Sequence, residues 1–111
     1  MSGEKFYHCS FIFAGVPKMR DLEPAFADAE DDWIRLSPFA WIIWTPKLPN
    51  LIHSRVLPLL DAADNFIITE MNPYWTIGKM QPWVWSWINS KAPNAVAIYD
   101  LTLPPPPKYL P

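Results

Sequence analysis

An α+β fold, with two helices against one face of a four-stranded antiparallel sheet, is predicted for this 111-residue chain by three observations. Four short runs rich in β-branched and aromatic residues suit a pleated surface. Two stretches with apolar residues at helical spacing lie between the first and second of those runs and between the third and fourth. Half of the residues are hydrophobic and 15% are aromatic, enough to bury a core without a disulfide or a structural metal. One domain is expected, since about 100 to 200 residues per domain is usual.

Lys5 to Phe13 is nearly continuously apolar, as a central strand covered on both faces should be. Asp21 then suits a helix N-cap, with Glu23 in the first turn, Pro24 tolerable there, and Leu22, Phe26, Ala29 and Trp33 at helical spacing. That helix must end near Asp31 or Asp32, because two like charges precede a run better suited to strands. Trp33 to Leu36 and Phe39 to Thr45 read as two strands hinged at Ser37-Pro38. Pro46 and Pro49 bracket a turn. Leu51, Ile52, Arg55, Val56 and Leu59 then predict a second helix from Asn50 to about Leu60, with Pro58 interrupting it late. Asp61 to Asn65 is a polar turn, and Phe66 to Met71 is a fourth strand.

The order βαββαβ folds most simply as a ferredoxin-like sandwich. Beyond it, Pro82 suits the first turn of a short helix over Trp83 to Ser90, and Asn94 to Leu103 alternates as a fifth strand. The expected organisation is a single domain over residues 1–103, with its core at 5–71 and an added helix and strand at 82–103. A proline-rich tail follows at 104–111, where Pro104 to Pro107 favours polyproline II. Along Phe39 to Thr45, Trp41 and Ile43 should face one side of the sheet and Ile42 and Trp44 the other. Helices on only one side would then leave an apolar face uncovered, and function is expected there.

Composition excludes several classes. The net charge of −2 and pI near 5.5 disfavour a broad phosphate-binding face. No stretch approaches the ~20 apolar residues of a membrane-spanning helix. Met1 to Lys5 is too polar to open a signal peptide, so a soluble, cytoplasmic protein is expected. The single cysteine, Cys9, lies in an apolar strand and reads as a buried, inert thiol.

Phe6-Tyr7-His8-Cys9-Ser10, then Trp33 to Thr45, then Leu59 to Glu70 resembles, in order and spacing, the small Cas2-like proteins, especially the SinR-like group. The likeness covers residues 5–71. It implies a ferredoxin-like homodimer whose C-terminal strand crosses to the partner's sheet, a part Asn94 to Leu103 is placed to play, covering an exposed edge. It also implies, for some members, a metal-dependent nuclease with an aspartate near the end of strand one. Here Ile12 stands at that position, which offers a hard cation such as Mg²⁺ no oxygen ligand. Asp64 and Glu70 remain as a weak alternative carboxylate pair, with Asp61 beside them. Mg²⁺ is expected only if that nuclease alternative holds.

Other constellations read as structural. His8 and His53 are not spaced as a metal motif, and Ser10 lacks a nucleophile elbow. Asp28, Glu30, Asp31 and Asp32 read as a solvated helix end, and three dispersed glycines make no phosphate cradle. Trp75, Trp83, Trp85 and Trp87 are different, because four tryptophans within thirteen residues exceed the needs of one short helix. Trp83 and Trp87 share one helical face and Trp85 points elsewhere, so one face should pack on the sheet and the other sit at a subunit or partner interface. The expected interface set is Trp41, Trp44, Trp75, Trp83, Trp85, Trp87 and Tyr99. The leading reading is a non-catalytic, homodimeric binding or scaffold protein in a toxin-antitoxin, CRISPR or phage-defence setting, which only the resemblance implies. A protein partner is expected, and nucleic acid is disfavoured by charge. The alternatives are a metal-dependent endoribonuclease and a small-ligand binder with an aromatic pocket.

Overall fold

The computed structural model describes residues 3–95. It has four strands, β1 (Lys5–Ile12), β2 (Asp32–Ser37), β3 (Ala40–Thr45) and β4 (Asn65–Met71), and three α-helices, α1 (Met19–Leu22), α2 (Pro49–Val56) and α3 (Pro82–Lys91). The strands form one sheet in the order β2-β3-β1-β4 with every neighbouring pair antiparallel, an arrangement compatible with a small ferredoxin-like fold. Among the described residues, no helix is long and apolar enough to cross a membrane.

Strand β1 is central, paired on both sides and carrying buried Phe6, Tyr7, Cys9 and Phe11, with Cys9 opposite Trp41 on β3 and Ile68 on β4. The β2–β3 hairpin turns through Pro38 and Phe39. The Ser37 Oγ accepts the Phe39 N–H at 3.1 Å, and the Phe39 carbonyl accepts the Phe11 N–H at 2.8 Å, which pins the turn to β1.

The first helical segment departs from expectation. The helix begins at Met19, so Asp21 lies inside α1 and is not its cap. Pro24 has no N–H and its ring crowds the carbonyl of residue i−4, so the chain tightens into a 3₁₀ turn over Glu23–Phe26 and stops well short of Asp31. Pro58 acts likewise on α2, which gives way to a 3₁₀ turn at Leu57–Leu59. Of the stripe expected there, Ile52 and Val56 are buried, whereas Leu51 and Leu59 are largely exposed.

The alternation along β3 divides the core as predicted. On the first face Trp41, Ile43, Tyr7, Cys9, Phe11 and Trp33 pack with Leu22, Phe26, Ile52 and Val56. On the second face Phe6, Ile34 and Ile42 pack with Val84, Ile88 and Ala92. The expectation of an uncovered apolar face is therefore corrected: α3 lies across it. Its buried face is Val84 and Ile88, at i and i+4, rather than a tryptophan stripe. Cover is incomplete toward β4, where Ile12 is 70% and Ile67 62% exposed. The strand expected from Asn94 does not start there, since Asn94 has φ 63° and sits in a turn. The rest of that segment, Tyr99 and the proline-rich tail lie outside the described residues.

Candidate functional site: a closed charge network and an open sheet edge

The carboxylates named from the sequence do not converge. Asp64 lies just before β4 and Glu70 six positions on, a separation of about 20 Å along an extended strand. The Asp64 side chain has no solvent exposure. Its oxygens accept the Ala14 N–H at 2.8 Å, the Asp61 N–H at 2.9 Å and the Lys18 ammonium. The Lys18 bond, then those two amides, hold its carboxyl well below the usual range, at about 2. Asp64 thus ties the end of β1 to the turn before β4. Glu70 is exposed and only loosely paired with Lys5 at 3.5 Å. Among the described residues no three His, Cys, Asp or Glu side chains could hold a metal ion.

The acidic cluster before β2 is neither a solvated helix face nor a cation site. It lies in a turn that wraps Lys47, whose Nζ is 2.8 Å from Asp31, 3.0 Å from Glu30 and 3.2 Å from Asp28. Burial alone would lower the Lys47 pKa, but the bonds to Asp31, Glu30 and Asp28 outweigh it and raise it. Asp31 also accepts the Thr45 hydroxyl at 2.5 Å, and Asp28 pairs with Arg55 at 2.5 Å. Asp32 serves the other face, accepting Lys91 at 2.9 Å and the Trp87 indole N–H at 3.1 Å. The Lys91 ammonium sits 4.7 Å from the Trp44 ring centroid. These contacts fasten α3 to the β2–β3 hairpin.

A buried triad escaped the sequence reading. Arg35 on β2 donates to Glu23 through Nε at 2.6 Å and through Nη2 at 2.7 Å, and the Trp41 indole N–H donates to the same carboxylate at 2.9 Å. The signal available was an arginine at an inward position of β2, which demands a buried carboxylate.

The tryptophans separate by environment. Trp41 is fully buried among Phe11 and Phe26, so it belongs to the first core and not to an interface. Trp44, Trp83, Trp85 and Trp87 are partly buried against the second core. Trp75 is 85% exposed in the connection between β4 and α3, which also presents Tyr74 and Ile77.

The two histidines are on opposite faces. His53 stacks on Phe66 with centroids 5.3 Å apart, while His8 Nδ1 lies 3.3 Å from Ser10 Oγ. Burial pulls the His8 imidazole below its ordinary pKa. The Cys9 thiol is buried and pushed up to about 12 by desolvation, so it is inert at neutral pH.

One exposed apolar surface borders the sheet edge at β4. Among the described residues β4 is an edge strand with nothing paired on its far side. Its outward Ile67 stands diagonal to the exposed Ile12 of β1, and the Trp75 connection follows it in sequence. Comparison with family models, curated proteins and solved structures finds no match to this chain.

Proposed function

We infer that the chain is a non-catalytic binding protein of the Cas2-like type, acting as a homodimer through an apolar surface and not through titratable chemistry. The observation that carries this reading is the combination of an edge strand unpaired among the described residues with exposed Ile12, Ile67 and Trp75, while Asp28, Asp31, Asp32, Asp64 and Glu23 are held by partners within the chain. The βαββαβ order and the strand order are what a ferredoxin-like member of such a family would have. An apolar patch beside an unpaired edge is a place for another chain.

Incubating the pure protein with labelled RNA and DNA in Mg²⁺ or Mn²⁺ tests the catalytic half of the reading. Intact nucleic acid is expected. Metal-dependent cleavage that disappears in Glu70→Gln would overturn it. That substitution is suited to the purpose because Glu70 is exposed and contributes no buried contact.

A further inference from the structure

We propose that the proline-rich segment Pro104 to Pro107 docks, within its own chain, on the aromatic surface that Trp85 forms with the connection between β4 and α3. That connection presents Tyr74, Trp75 and Ile77 to solvent. It passes α3 at Gly78, where a Cβ would stand 3.7 Å from the Trp85 ring. Trp85 itself lies about 100° round the helix from buried Val84, so its ring sits on the flank of α3 and is only partly buried. Ile12 and Ile67 lie at the opposite end of β1 and β4 from Trp75, so the contact goes beyond the homodimer reading and does not depend on it.

The two partners are complementary in hydrogen bonding as well as in shape. The Trp41 indole donates to Glu23 and the Trp87 indole to Asp32. Those of Trp75 and Trp85 donate to no acceptor among the described residues. A tryptophan side chain offers a donor and no acceptor, whereas a proline residue offers a carbonyl and no N–H. Successive prolines also hold polyproline II geometry in advance, so little entropy is lost when their rings settle on aromatic side chains. Reach permits the contact within one chain. Ala95, the last described residue, is held at the C-terminal end of α3 by its N–H bond to the Ala92 carbonyl at 3.1 Å. From Ala92 back to Trp85 is about 10 Å along the helix. The chain from Ala95 to Pro104 spans up to about 30 Å, so the segment reaches Trp85 with length to spare. A short tether also holds it at an effective concentration of about millimolar, which favours its own surface over that of another copy.

Spin labelling of the full-length chain tests the contact. Leu110→Cys provides a labelling site just beyond the prolines, and the native thiol is buried and unreactive. In an isotope-labelled chain carrying the spin label, the indole N–H resonances of Trp75 and Trp85 should lose most of their intensity and regain it when the label is reduced. Trp75→Phe and Trp85→Phe identify those resonances. Replacing Pro104 to Pro107 by serine should remove most of the loss, since serine keeps the tether and discards the preset geometry. Mixing isotope-labelled chain that lacks the spin label with spin-labelled chain that lacks the isotope should leave both resonances intact. Resonances untouched by the label in the first sample would overturn the proposal. An equal loss in the mixture would overturn it as well, by assigning the segment to another copy.

Discussion

At the scale of single residues, the acidic side chains act as fasteners. Glu23 receives two guanidinium bonds and one indole bond where Arg35 is almost wholly buried. Removing one member of such a group strands the other's charge in a poorly solvated place. Glu23→Ala should therefore destabilise the fold by about 3–5 kcal/mol, read from denaturant unfolding. A loss near zero would mean that water solvates Arg35 after all. Asp64 behaves differently, since its effect depends on pH. Its folded pKa of about 2 is depressed from 3.8, so its contribution is present above the unfolded value and fades as pH falls from 3.8 through 2. Asp64→Asn should flatten the acid limb of the stability–pH curve over that interval, and an unchanged limb would show that other carboxylates dominate it. The partners of these groups were not legible in the sequence. Glu23 and Arg35 are twelve residues apart, and Lys18 and Asp64 forty-six, so no local spacing announces them.

At the scale of elements, the strands were legible because their β-branched and aromatic runs serve a half-buried pleated surface wherever the sheet is placed. The alternation of Trp41, Ile42, Ile43 and Trp44 between faces followed from a strand's period of two and is seen in the two core clusters. The first helix is shorter than its apolar spacing predicts because Pro24 breaks the i→i−4 ladder that the spacing presupposes. The cover of the second face was not legible because Val84 and Ile88, which sit on Phe6, Ile34 and Ile42, are two aliphatic positions in a helix whose sequence is apolar nearly all round, so no stripe marks its buried side. Since α3 is anchored by that pair, Ile88→Ala should cost about 2–5 kcal/mol, the range for truncating a fully buried aliphatic side chain. Thermal and denaturant unfolding check this. A change below 1 kcal/mol would indicate that α3 contributes little to the second core.

At the scale of the whole molecule, the two sheet faces and the two outer strands are treated unequally. The first face is closed by α1, the 3₁₀ turn that follows it and α2, and the second is closed by α3 except toward β4. The β2 edge is bulged and charged, whereas the β4 edge is regular and bordered by exposed isoleucines. Among the described residues, β4 therefore combines an unpaired edge with exposed isoleucines beside it, the surface on which the proposed self-association is argued. Sedimentation equilibrium of the full-length protein across micromolar concentrations is the most direct test of self-association. A concentration-dependent dimer is predicted, and a single monomeric species throughout the range would contradict it.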